Sequence, residues 1–101
     1  MFRGRVRHVH FVGIGGIGMS GLAEILHAME FAVSGSDLKP NEITRRLEMM
    51  GVRVMIGHDK SHIAGADVVV YSRAIDPKNP DIREAKARGV PVIARAEMLA
   101  E

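Results

Sequence analysis

From Val6 to Val12 the side chains alternate, with Val6, His8, His10 and Val12 on one face of an extended segment and Val9 and Phe11 on the other. Period-two alternation of this kind predicts a strand, and bulk on both faces suits a parallel sheet covered on both sides. The two histidines are placed most easily near the edge where the strand enters, in packing or hydrogen bonding. After a run of glycines the period lengthens. Met19, Leu22, Ala23, Leu26 and Met29 recur at helical spacing, while Glu24, His27 and Glu30 face away.

Phe31 to Ser34 predicts a short second strand of weak apolar signal, ending in Gly35-Ser36-Asp37. Pro40 and Asn41 punctuate the chain. Ile43, Leu47 and Met50 then mark a helical stripe, with Asn41 as N-cap and Gly51 as the stop. Val52, Val54 and Ile56 predict a third strand, and Asp59 to Ala66 leaves room for a short helix only. Asp67 to Tyr71, with three consecutive valines, predicts a fully buried fourth strand. Asn79-Pro80-Asp81 supplies cap, first-turn proline and first-turn acid for a helix through Ala85 to Arg88 that closes at Gly89. Val90 to Ala94 is a fifth strand. Strand and helix alternate throughout, so the fold class is α/β: an open parallel sheet of about five strands with helices on both faces.

Composition narrows the classes without choosing among them. The 101 residues make one domain, 47% hydrophobic and 26% charged, within the range of globular chains. The formal charge of +2 is small and its arginines cluster only at Arg3, Arg5 and Arg7, which gives no nucleic-acid footprint. Cysteine is absent, excluding disulfides and thiolate metal sites and agreeing with a cytoplasmic location. No apolar stretch approaches the roughly 20 residues of a membrane span, and no signal peptide is visible. His8 and His10 alone make a poor metal site. Met49, Met50 and Met55 are read as core filler.

The chemistry concentrates in Val12-Gly13-Ile14-Gly15-Gly16-Ile17-Gly18-Met19-Ser20-Gly21, where five of nine consecutive positions from Gly13 are glycine. Gly13, Gly15 and Gly18 have the G-x-G-x-x-G spacing between a strand and a helix. In that pattern the first glycine makes the turn, the second admits a pyrophosphate and the third lets helix and strand pack closely. The helix N-terminus adds free N–H groups and a positive dipole end. Asp37, about twenty residues on, stands where an acid binds ribose hydroxyls. A nucleotide diphosphate site follows, but every such ligand offers the same pyrophosphate and sugar. A NAD(P)-binding domain of an oxidoreductase and a nucleotide-sensing or structural module remain open at this point.

The longer run His8-Val9-His10-Phe11-Val12-Gly13-Ile14-Gly15-Gly16-Ile17-Gly18-Met19-Ser20-Gly21-Leu22-Ala23 resembles the opening of the UDP-N-acetylmuramate:L-alanine ligases of the Mur ligase family. Gly35-Ser36-Asp37, Gly57-His58 and Tyr71-Ser72-Arg73-Ala74-Ile75 follow in the matching order. The resemblance implies an N-terminal Rossmann-like domain over 1–101 that holds the UDP part of UDP-N-acetylmuramic acid, with no cofactor of its own. It also implies a central ATPase domain and a C-terminal domain beyond this chain, ATP and Mg in the full-length enzyme, and attack of the L-alanine amine on an acyl phosphate. No P-loop of the form G-x-x-x-x-G-K-[ST] occurs here, so this piece is expected to be inactive alone. The opening helix at 96–101 is expected to continue into a longer protein. Related ligases that attach a recycled tripeptide share the UDP sugar and are a second candidate within the family.

On this resemblance the backbone N–H groups of Gly15, Gly16, Ile17, Gly18 and Met19 are expected to face the diphosphate. Ser20 either adds a hydroxyl donor to phosphate or caps the helix. Asp37 accepts from ribose hydroxyls or the uracil amide, or else forms an ordinary Asx turn. His58 either touches the uridine or is a surface histidine. Ser72 and the N–H groups of Ala74 and Ile75 are expected to close around the nucleotide. The commoner family form has serine where this chain has Arg73, which here either pairs with phosphate or lies over the surface. Arg95 reaches the same edge, with a solvated helix-start role as its alternative.

Overall fold

The computed structural model describes residues 6–57, 59–72 and 75–95. The sequence readings on His58, Arg73, Ala74 and residues 96–101 lie outside them. Five parallel strands, β1 (His8–Val12), β2 (Ala32–Asp37), β3 (Arg53–Ile56), β4 (Val68–Tyr71) and β5 (Val92–Ala94), form one sheet in the order β3-β2-β1-β4-β5. Three α-helices connect them: α1 (Ile17–Ala28), α2 (Glu42–Met50) and α3 (Pro80–Ala87). A single 3-10 turn, Lys60–Ile63, stands in the segment predicted to form only a short helix.

The alternation along β1 divides the core. Val9 and Phe11 face α1 and α2 and pack with Met19, Leu22, Ala23, Leu26 and Leu47. Val12 faces the other way, onto Ile63, Val69, Ile82 and Ala85 beneath α3. Val6 lies ahead of the strand and packs with the Val9 side, so period two does not extend back to it. Because β1 lies between β2 and β4, the chain leaves it in one direction through α1 and α2 and returns to its other side for β4. That reversal is the switch point of an open α/β sheet, beyond whose carboxyl ends ligands collect.

β2 is longer than its apolar signal predicted because, of its buried positions Val33 to Ser36, only Val33 is a large apolar residue and the others are Ser34, Gly35 and Ser36. Gly35 is needed for space: a Cβ there would lie 2.4 Å from Ile14 Cδ1. The close packing that sequence assigned to Gly18 therefore occurs here, on the neighbouring strand. α2 begins with the reciprocal capping box of Asn41 and Thr44 and ends at Gly51 with φ 103°, as its punctuation requires. Met29 and Met49 are 57% and 89% exposed. They cover no core: Met29 is the C-cap residue just after α1, and Met49 lies in the last turn of α2.

Candidate functional site

The glycine segment crosses the carboxyl edge of the sheet at the switch point. Gly13 opens the turn at φ 80°, a conformation that a side chain would strain. Its N–H and that of Ile14 both donate to the Ser36 carbonyl, at 2.8 and 3.0 Å, fastening the loop to β2. The Gly15 N–H donates to Asp37 Oδ2 at 2.8 Å, and Asp37 Oδ1 accepts from the Leu38 N–H at 2.8 Å. A Cβ on Gly15 would stand 2.6 Å from Asp37 Oδ2 and 3.0 Å from Asn41 Nδ2. Position 15 is therefore bare so that the acid and the start of α2 can close on the loop.

These bonds redistribute the phosphate donors expected from sequence. The N–H groups of Gly15 and Gly16 are committed, the latter to the Gly13 carbonyl at 3.0 Å. Those of Ile17, Gly18 and Met19 form the first turn of α1, where no carbonyl lies four residues back within the helix. Gly16 holds the cap position without a side-chain bond, and the first turn carries no acid. Ser20 is buried a full turn beyond that cap, so it does not cap the helix. Asp37 performs its Asx-type role towards the main chain while remaining half-buried at the mouth of the site.

Across the switch point, Ser72 is half-buried and its carbonyl accepts the Ile75 N–H at 3.1 Å. Ile75 thus supplies an apolar wall in place of the predicted donor, and its Cδ1 lies 2.9 Å from where a Gly13 Cβ would be. Between this wall and β2 is a cleft of about 250 Å³, lined by Val12, Gly13, Asp37, Leu38, Ile75 and Asn79 among others. Ligand pockets run from about 300 Å³ upward, so this cleft has room for a base or sugar, with the rest of a nucleotide extending over the loop.

Sequence reasoning missed a buried polar chain beneath the cleft. His8 Nε2 and His10 Nδ1 both meet Ser34 Oγ, at 2.6 and 2.8 Å. His10 Nε2 lies 3.3 Å from Asp81 Oδ2, to which the Ser36 hydroxyl donates at 2.6 Å. One proton arrangement satisfies these contacts: His8 Nε2–H donates to Ser34, Ser34 to His10 Nδ1, and His10 Nε2–H joins Ser36 in donating to ionised Asp81. His10 and Asp81 are fully buried. Burial lowers the His10 pKa despite its bond to Asp81. At Asp81 burial pushes upward, but the bonds from His10 and Ser36 and the nearby histidines outweigh it, leaving the carboxyl below its usual value. The first-turn acid of α3 was legible; its partner 71 residues earlier was not.

An open parallel sheet, a glycine turn at its switch point and a bare helix N-terminus define a doubly wound, Rossmann-like α/β domain. The model for the Mur ligase family, catalytic domain, matches residues 8–101, and the chain belongs to that family. UDP-N-acetylmuramate--L-alanine ligase of Sorangium cellulosum is 69% identical over all of this chain, which spans 22% of that relative. The UDP-N-acetylmuramate-alanine ligase of Thermotoga maritima superposes with TM-score 0.88 at 33% identity, covering 91% of this chain and 21% of its own. A UDP-N-acetylmuramate:L-alanyl-gamma-D-glutamyl-meso-diaminopimelate ligase from Neisseria meningitides follows at TM-score 0.80 and 33% identity, covering 88% and 28%. The chain thus spans about a fifth of the length of the curated relatives it matches.

Proposed function

We propose that this chain binds the UDP portion of UDP-N-acetylmuramic acid for a cytoplasmic, ATP-dependent ligase that joins L-alanine to it in peptidoglycan synthesis. The observation that carries the reading is the uncapped first turn of α1 beside the Asp37-pinned loop, in a chain 69% identical to an enzyme named for that reaction. The N–H groups of Ile17, Gly18 and Met19 take the diphosphate, with the helix dipole adding to their attraction. Asp37 fixes the loop and the cleft beside it receives the uridine. The amine is chosen elsewhere in the enzyme. A tripeptide ligase shares the sugar, but the solved example superposes less closely.

ATP and Mg belong, on this reading, to the rest of the full-length enzyme. The sequence has no P-loop, and among the described residues no group of three or more His, Asp or Glu side chains is placed to hold a metal ion. Binding and orientation of the UDP sugar are this chain's part. Likewise no helix among the described residues is long and apolar enough to cross a membrane.

Thermal unfolding with UDP-N-acetylmuramic acid, UDP, NAD and NADP in parallel tests the reading. A ligand at 100 times its Kd adds about 2.7 kcal/mol to the folded state, on the order of 10 °C for a domain this size. The two uridine ligands should raise the midpoint and the two nicotinamide ligands should leave it unchanged; a rise with NAD alone overturns the proposal.

A further inference from the structure

Gly18 poses a problem that the glycine fingerprint does not answer. It lies in the first turn of α1 with no positive φ, so its backbone does not call for glycine, and a helix position disfavours one. Strand packing does not call for it either, because that close approach is made at Gly35. The atoms that a Cβ at position 18 would meet belong to Arg95: Cζ at 2.8 Å, Nε at 2.9 Å and Nη1 at 3.2 Å. Cζ is the nearest of the three, so the guanidinium meets Gly18 with its flat face and not with its N–H edge.

That placement is electrostatically incomplete. Arg95 follows the last residue of β5 and brings a permanent cation against the positive end of a helix dipole, where cations are disfavoured. No ion pair joins Arg95 to a carboxylate among the described residues. The cap residue and first turn contribute no acid either. A guanidinium and three helix N–H groups therefore converge on one position, while the nearby Asp37 carboxylate is already engaged by the Gly15 and Leu38 N–H groups. A diphosphate, with one negative charge on each phosphorus, would resolve that conflict, accepting from the N–H groups and from the fork of Arg95 together.

We propose that Arg95 binds the diphosphate of the nucleotide, and that Gly18 is glycine to seat its guanidinium over the first turn of α1. This rests on the UDP reading above and adds to it a side chain that the glycine pattern does not contain. It also links β5, the far edge of the sheet, to the loop after β1.

The test uses the 101-residue chain, with UDP and uridine as probes in calorimetric or NMR titrations. Arg95→Met should raise the Kd for UDP about tenfold or more while leaving that for uridine within about twofold, and Arg95→Lys should recover part of the loss. Gly18→Ala separates binding from folding. It improves a helix position, so the melting midpoint should hold or rise, yet UDP affinity should fall because the Cβ displaces the guanidinium. If the wild-type chain binds UDP and Arg95→Met binds it equally well, the role of Arg95 is overturned and the UDP reading stands. If the wild-type chain binds no UDP, the UDP reading itself falls.

Discussion

The Gly15 N–H donates to Asp37 Oδ2 across 22 residues of sequence, joining the glycine loop to the end of the neighbouring strand. The acid of the fingerprint thereby shapes the loop before any ligand arrives. Its second oxygen holds the Leu38 N–H, so the carboxylate spans the mouth of the cleft.

Asp37→Ala removes both acceptors and should cost about 1–3 kcal/mol, the penalty for stranded backbone donors. Asp37→Asn keeps an acceptor oxygen and should lose less. Urea unfolding of the two variants measures the difference, and UDP affinity should fall in the same order.

Gly35→Ala places a Cβ 2.5 Å from the Cβ of Ile14 and 2.4 Å from its Cδ1. The expected cost is at least the roughly 1–3 kcal/mol of an overpacked core. Ile14→Val should give no rescue in the double mutant, because the Cβ contact survives it. A double-mutant cycle by thermal unfolding checks this.

Removing Asp81 should be more damaging than removing any exposed acid. Asp81→Ala leaves Ser36 and His10 without their shared acceptor in a fully buried position, a loss of about 1–3 kcal/mol for each stranded neutral donor. The same pair sets an acid dependence of stability. His10 is held below its ordinary 6.5 in the fold, so the unfolded chain takes up that proton first and stability falls as pH drops below about 6.5. Asp81 is held below 3.8, so its contribution, full above that value, is lost as pH falls through the folded pKa. His8, His62 and Asp81 all bear on His10. Urea unfolding between pH 7.5 and 5 should show the first decline in the wild type and a smaller one in His10→Phe.

What the sequence made legible followed from local rules. The strand-glycine-helix order, the Asn41 and Asn79 caps and the valine run of β4 each carry their own signal over a few residues, and all are present. β2 was faint because its buried positions hold two serines and a glycine, whose reasons lie in other elements: His10, Asp81 and Ile14. Asp81 itself reads only as a first-turn helix acid, since nothing within its own turn reveals the histidine beneath it. Gly18 fits its motif by spacing, but its neighbour is Arg95, which sequence spacing cannot bring to it. The donors of Gly15 and Gly16 were assigned to phosphate because the loop's internal bonds depend on where β2 ends.

The central claim is that the first turn of α1 holds the diphosphate of a UDP sugar. Titration of the 15N-labelled chain with UDP-N-acetylmuramic acid tests it most directly. The largest amide shifts should fall on Ile17, Gly18 and Met19, with smaller ones at Asp37 and Leu38 and none on the outer face of α3 around Arg83 and Lys86. Saturable shifts that leave Ile17 to Met19 unmoved would contradict it.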